Sequence, residues 1–182
     1  MAEDQKEHGG IPRATFVEDV DKFMAETHNE SAEKVLQEMD EQHQKYKFME
    51  LNLAHRKKRL LTQLPDTKST LDIVKLLQSK QNTTEPIQTH FLLAEQVYGK
   101  AAIDPTDKVC LWLGANVMLE YDLEEARKLL ESNLEAAKKT LKIVDGDLDF
   151  LKDQYTTTEV NMARIYNWDV KRRQSLAAKG ST

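Results

Sequence analysis

A seven-residue repeat in the second half of the sequence constrains the fold more than any other feature. Its positions form two interleaved strips, of which eleven of twelve residues are apolar: Leu123, Leu130, Ala137, Val144, Leu151, Thr158 and Ile165 in one, and Leu134, Leu141, Leu148, Tyr155 and Met162 in the other. A period of 3.5 residues sustained over about six heptads predicts a long helix in a left-handed coiled coil.

A weaker repeat precedes this one and predicts a first helix with an interrupted seam. Every seventh position is apolar at Ala32, Met39, Tyr46, Leu53 and Leu60, whereas the companion positions mix Val35 and Met49 with Gln42 and Arg56. Thr27 and Glu30 have capping-box spacing, and Asn29 is an alternative cap. Pro65 predicts a kink or a division of this helix, because its ring clashes with the carbonyl four residues back.

Residues 86–121, between the two repeats, show the chemistry of short strands. THFLLAEQVYGKAAI contains two apolar runs separated by Ala94, Glu95 and Gln96, and VCLWLGANVMLEY contains two separated by Gly114, Ala115 and Asn116. Both pairs predict β-hairpins, the second more strongly because Gly and Asn tolerate positive φ. The sequence therefore predicts an α+β fold, a long antiparallel coiled-coil hairpin with two β-hairpins between its helices.

The hairpins predict assembly with other subunits. Side chains alternate along a strand, so Cys110 and Trp112 lie on the face opposite Val109, Leu111 and Leu113, and four short strands cannot cover both faces. We expect neighbouring subunits to supply the cover, and Cys110 to be a buried structural thiol. The predicted assembly residues are Val97, Tyr98, Val109, Cys110, Leu111, Trp112, Leu113, Val117 and Leu119.

These elements divide the chain into five predicted segments. They are a partly ordered N-terminal arm (1–29), the first coiled-coil helix (30–85), the two β-hairpins for assembly (86–121), the second coiled-coil helix (122–173) and a disordered tail (174–182). Asp122 and Glu125 place a cap and a carboxylate at the start of the second helix.

Composition and motifs argue against catalysis, metal binding and nucleic-acid binding. The net charge is −5 with both signs mixed along the chain, and no phosphate loop, nucleophile elbow or zincin motif is present. The run DGDLD fails as a calcium loop because Phe150 and Thr156 stand where Gly and Glu are needed. The histidines have no ligand spacing with the lone cysteine. We expect no enzyme activity, no cofactor and no metal.

Localisation is expected to be cytoplasmic. The sequence lacks an apolar run of about 18 residues and begins without a basic, apolar secretory signal. HRKKR, residues 55–59, leaves nuclear presence or a nucleic-acid patch as an alternative. A structural role is preferred: antiparallel pairing places Lys57 near Gly146, so the basic run faces Asp145, Asp147, Asp149 and Asp153 and sets the helix register.

The order helix, two hairpins, helix, together with DPTDKVCLWLGANVMLEYDLEEA, resembles the α class of prefoldin subunits. Three further stretches narrow the resemblance to one subunit type: GIPRATFVEDVDKFM, DEQHQKYKFMELNLAHRKKRL and DFLKDQYTTTEVNMARIYNWDVKRR. The resemblance covers about residues 10–173.

The resemblance implies a heterohexameric, ATP-independent co-chaperone. Its expected partners are one further α-class and four β-class prefoldin subunits, unfolded actin and tubulin among other captured proteins, and the cytosolic chaperonin that receives them. The subunit type also implies the von Hippel-Lindau protein as a partner, to which no residue is assigned. A coiled-coil scaffold or adaptor with one fixed partner is the alternative function.

In this family the ends of the coiled-coil arms contact the substrate. Here that end comprises the start of the first helix and the end of the second, so the expected substrate-binding residues are Val35, Leu36, Met39, Met162, Ile165, Tyr166 and Trp168. Tyr166 and Trp168 lie off the seam, which leaves two interpretations: an adhesive surface for unfolded chains, or packing against Phe16, Val17, Val20, Phe23 and Met24 of the N-terminal arm.

Overall fold

The computed structural model describes residues 8–26 and 31–179. In chain order the elements are α1 (Val20–Ala25), α2 (Ala32–Lys80), β1 (Ile87–Ala94), β2 (Val97–Ile103), β3 (Lys108–Gly114), β4 (Val117–Asp122) and α3 (Leu123–Lys179). Two antiparallel β-hairpins thus lie between two long helices, which confirms the predicted fold class. No helix among the described residues is long and apolar enough to cross a membrane.

The first long helix, α2, is continuous through Pro65, which excludes a division of the helix there; the alternative, a kink near Pro65, stays a prediction. One proline removes a single N–H donor, and the hydrogen bonds of the turns on either side continue the helix. Ser31 caps the start: its Oγ accepts from Lys34 N at 3.2 Å, and its carbonyl accepts from Val35 N at 3.1 Å. The predicted caps, Thr27 and Asn29, lie outside the described residues.

The second long helix, α3, starts with Glu124 and Glu125 in its first turn, where carboxylates favour the helix dipole. It continues to Lys179, beyond the predicted end at residue 173. Residues 174–179 are therefore helical and not a disordered tail. Their sequence, QSLAAK, is rich in good helix formers and carries neither Gly nor Pro. Residues 180–182 lie outside the described part of the chain.

The chain forms two compact units. We call residues 60–140 the hairpin unit, and residues 1–59 with 141–182 the helical unit. In the hairpin unit, β1 pairs with β2 and β3 pairs with β4, each pair as its own antiparallel sheet. The connection between β3 and β4 has two residues, Ala115 (φ 47°) and Asn116 (φ 61°), whose positive φ values match a type I′ turn.

The core of the hairpin unit lies between the second hairpin and the two helices. Leu111 of β3 is buried with Val74, Leu123 and Ala126, and Val109 and Tyr121 pack against this cluster. A hydrogen bond also connects these two helices: Gln78 Nε2 donates to Glu124 Oε2 at 2.8 Å. That hydrogen bond holds the pKa of the Glu124 carboxyl below its usual value.

The helical unit pairs the first half of α2 with the second half of α3. Tyr46 and Leu151 are buried together with Ile11, and Ala32 and Val35 are buried with Ile165. The predicted charge pairing between the helices occurs at Lys57, whose Nζ lies 2.8 Å from Asp145 Oδ1. The Asp145 carboxylate raises the pKa of Lys57. Asp147, expected to face the same basic run, instead lies beside His8.

Reversing the charge of one partner of the Lys57–Asp145 pair tests whether the pair sets the register. We expect Lys57→Glu to lower the melting temperature, because it places two carboxylates together, and the double variant with Asp145→Lys to recover most of the loss. Lys45→Glu, at an exposed position of the same helix, is the control. Thermal unfolding followed by circular dichroism measures all four proteins. Equal melting temperatures for the single and double variants would contradict the role.

Candidate functional site

An extended N-terminal segment is docked on the helical unit. We call residues 8–19 the strap; they precede α1 and run beside the second half of α3. Ala14 N donates to Gln154 Oε1 at 2.9 Å. Asn161 Nδ2 donates to the Thr15 carbonyl at 2.8 Å, and Asn161 Oδ1 accepts from Val17 N at 2.9 Å. Two side-chain amides of α3 thus bind three backbone groups of the strap between Ala14 and Val17.

Two more side chains bind the strap backbone. The Tyr46 hydroxyl donates to the Pro12 carbonyl at 2.8 Å and accepts from Gln42 Nε2 at 2.8 Å. Burial raises the pKa of Tyr46 above its usual value. Arg164 donates to the Glu18 carbonyl at 2.7 Å. The strap is therefore held along most of its length through its main chain.

Apolar side chains anchor the strap at two points. Ile11 is buried against Tyr46 and Leu151, and Val17 is also buried. Near the start of the strap, the His8 ring stacks on Phe150 with centroids 4.1 Å apart. These contacts bring the segment into the core although it has no regular secondary structure.

A tight turn at the start of the strap requires glycine. Ile11 N donates to the His8 carbonyl at 3.0 Å, and the residues between them, Gly9 and Gly10, have φ values of 58° and 80°. Side chains disfavour this left-handed region. The turn thereby sets the strap's approach to α3.

Four α3 residues that lie seven positions apart form a strip that the sequence prediction missed, and three of them contact the strap. Asp147 lies beside His8, Gln154 and Asn161 bind the strap backbone, and Trp168 Nε1 donates to Asp21 Oδ1 of α1 at 2.6 Å. Polar residues at a heptad position normally face solvent, so their polarity did not indicate burial. Their regular spacing was the feature of the sequence that could have indicated a third buried strip on α3.

The predicted substrate-binding residues lie together at one place in the helical unit, but most of them are covered. Val35 and Ile165 are buried, and Leu36, Met39 and Trp168 are partly buried beside Val20, Phe23 and Met24. Met162 is half-buried, whereas Tyr166 is 56 % exposed. Trp168 therefore packs against the N-terminal arm, whereas the side chain of Tyr166 is exposed to solvent. The substrate role of the seven residues remains a prediction.

The predicted assembly residues fall into two groups. Val109 and Leu111 face the helices of the hairpin unit and belong to its core. The remaining ones are exposed, with Trp112 at 60 %: Val97, Tyr98, Cys110, Trp112, Leu113, Val117 and Leu119. The sequence prediction omitted Phe91, Leu92 and Leu93 of β1, which are exposed as well.

Cys110 is exposed, so the prediction of a buried thiol is wrong for this chain by itself. The cause is the alternation of side chains along β3. Leu111 points to the helices, which directs Cys110 and Trp112 to the open face of the sheet. In residues 8–26 and 31–179 no group of three or more His, Cys, Asp and Glu side chains is arranged to hold a metal ion.

The sequence matches a known protein family and is similar to several known proteins. The model of the Prefoldin family, described as "Prefoldin subunit", matches residues 46–168. A chain of the cryo-EM structure of filamentous PFD from Methanocaldococcus jannaschii has 18% sequence identity and a TM-score of 0.48, covering 63% of this chain and 92% of that chain. The chain belongs to the prefoldin family of chaperone subunits.

Within that family the similarity is to prefoldin subunit 3, the subunit type indicated by the three sequence stretches quoted above. The protein of Mus musculus is 63% identical over 166 residues, covering 91% of this chain and 85% of its own length. The Drosophila melanogaster protein is 50% identical over 182 residues, covering 100% of this chain and 92% of its own length. The predicted resemblance is thereby confirmed.

Removing an apolar anchor tests how the strap is held. Ile11→Ala leaves a cavity against Tyr46 and Leu151, and we expect it to lower the free energy of strap docking by about 2 to 4 kcal/mol. Hydrogen exchange at the Ala14 and Val17 amides measures the effect as a loss of protection. The control is Thr15→Ala, which removes an exposed side chain but keeps the carbonyl that binds Asn161. Unchanged protection in Ile11→Ala would show that the strap is not anchored by this side chain.

Proposed function

We propose that this prefoldin-family subunit assembles, as one of two α-class chains with four β-class chains, into an ATP-independent chaperone. The complex captures unfolded proteins, actin and tubulin among them, and transfers them to the cytosolic chaperonin. Family membership and the architecture support the proposal. The chain acts by binding, without a catalytic residue, metal or cofactor.

The observation that carries the assembly step is the apolar surface of the two hairpins. Phe91, Leu92, Leu93, Val97 and Tyr98 of the first hairpin are each more than half exposed. On the second hairpin Trp112 and Met118 pair across the strands and are also more than half exposed. A monomer rarely leaves so many neighbouring apolar side chains in water, and strand faces of this kind suit burial against other subunits.

The capture step is supported by the apolar cluster at the start of α2 and the end of α3. Tyr166 follows the buried Ile165 and presents its ring to solvent. Aromatic and methionine side chains make adaptable apolar contacts without requiring one partner shape. Weak contacts of this kind, repeated on several subunits that hold the same unfolded chain, increase the overall avidity.

A location and one further partner are also proposed. Hand-over to a cytosolic chaperonin requires a cytoplasmic location, and HRKKR leaves nuclear presence as a secondary one. The von Hippel-Lindau protein is proposed as a partner from the subunit type alone.

A fixed-partner scaffold remains the rival function. Such a scaffold would bind one folded protein with saturation and show no preference for unfolded chains.

Variants at two adjacent residues of β3 test assembly and folding separately. We expect Trp112→Ala to keep the melting temperature of the isolated chain but to weaken assembly with the other subunits, because its side chain is exposed. Leu111→Ala, the matched comparison, should destabilise the isolated chain by about 2 to 5 kcal/mol because Leu111 is in the core. Native mass spectrometry and thermal unfolding give the two readouts. Full assembly of the Trp112→Ala chain would contradict the proposed interface.

The capture step is tested at Tyr166. We expect Tyr166→Ser, in the assembled complex, to reduce the suppression of aggregation of denatured actin severalfold, because it removes an exposed aromatic contact. Asn167→Ser, at the next exposed position of α3, controls for a general change of surface. Light scattering after dilution of denatured actin is the measurement, with native mass spectrometry to verify assembly. Unchanged suppression in an intact complex would remove Tyr166 from the proposed contact surface.

A further inference from the structure

The groove that holds the strap binds main-chain atoms. Gln154 and Asn161 bind the backbone of Ala14, Thr15 and Val17. Tyr46 and Arg164 bind the carbonyls of Pro12 and Glu18. Every polypeptide presents N–H and C=O groups in this order when it is extended. The polar half of the recognition is therefore independent of the sequence of the bound segment.

The apolar part of the recognition uses two buried side chains of the bound segment. Ile11 and Val17, six residues apart, are the buried hydrophobic side chains of the strap. Between them the side chains of Arg13, Thr15 and Phe16 are exposed, and the guanidinium carbon of Arg164 lies 5.2 Å from the centre of the Phe16 ring. An extended segment with two aliphatic residues at this spacing presents the same two apolar anchors, and such segments are common in unfolded proteins.

Space beside the strap would admit larger side chains. A cleft of about 450 Å³ is lined by strap residues, by α1, and by Met39, Gln42 and Thr158 of the two long helices. The strap residues that line the cleft run from Arg13 to Asp19. Bulkier side chains than those of the strap could therefore enter without moving the helices.

We propose that this groove is a peptide-binding site for extended segments of unfolded polypeptides, and that the strap occupies it in cis as a stand-in for such a segment. The proposal rests on the proposed capture of unfolded proteins and adds the place and the mode of binding. It also assigns the strap a regulatory role, because a captured segment and the strap exclude one another.

The competition favours the strap in the resting protein. A segment tethered to its own site by a short connection has an effective concentration in the millimolar range, which a free peptide must exceed. Weakening the docking of the strap should therefore raise the affinity of the groove for an external peptide without altering the groove itself.

The first measurement compares peptide binding to the full-length chain with and without a docked strap. The probe is a fluorescent peptide with the sequence of residues 8–19, HGGIPRATFVED. Val17→Asp releases the strap by placing a carboxylate at its buried anchor. Ala14→Pro is a second releasing variant, which removes the N–H bonded to Gln154 and changes no core side chain. Circular dichroism verifies that helix content is retained.

We expect both released chains to bind the peptide at least about fivefold more tightly than the wild-type chain, because the competing segment is weakened. A peptide methylated on the amides of Ala14 and Val17 should bind a released chain about tenfold more weakly, since it lacks two N–H donors. Asn161→Leu in the released chain should weaken binding of the unmodified peptide to a similar degree. Asn167→Leu, on the exposed side of α3, should not.

Two results would overturn the proposal: equal peptide affinity for wild-type and released chains, or equal affinity of the methylated and unmodified peptides for the released chains. Suppression of actin aggregation by the assembled complex is measured in parallel. Retained suppression with no peptide binding to the released chains would reject the groove and leave the proposed function intact. Peptide binding as expected, without suppression by any complex, would reject the proposed function and leave the groove as a peptide site.

Discussion

Packing of α2 against α3 is the interaction on which the other features depend. In the helical unit it buries Tyr46 against Leu151 and Val35 against Ile165, and in the hairpin unit Val74 clusters with Leu123 and Ala126. Amphipathic helices of this length are stable in water when their apolar strips are covered. The strap can dock because two helices form a groove, and the second hairpin has a core because two helices support one of its faces.

The two units use the helix pair differently. In the hairpin unit the pair covers Leu111 and Val109, and the opposite strand face stays apolar and exposed. In the helical unit the chain supplies its own cover, since the strap and α1 lie over the apolar residues. The hairpins therefore keep an exposed apolar surface, whereas the apolar surface of the helical unit is partly covered by the chain itself.

The strap also shows how a coiled coil can bind an irregular segment. A seam of apolar side chains offers no partner for the N–H and C=O groups of an extended chain, whose burial without hydrogen bonds would be costly. Here Gln154 and Asn161 occupy a third heptad strip and supply both donors and acceptors. Side-chain amides are suited to this role because one group does both.

The sequence by itself determined the order of helices and hairpins, because heptad spacing and turn residues such as Ala115–Asn116 act over short distances. It also indicated the pairing of Lys57 with the acidic run, since antiparallel helices of known ends have a predictable register. The tertiary structure decided which strips of α3 are buried. Asn161 meets Val17 across 144 positions of sequence, and no local pattern reports a contact of that separation. The tertiary structure also placed Trp168 beside Val20, Phe23 and Met24, which is one of the two arrangements that the sequence left open.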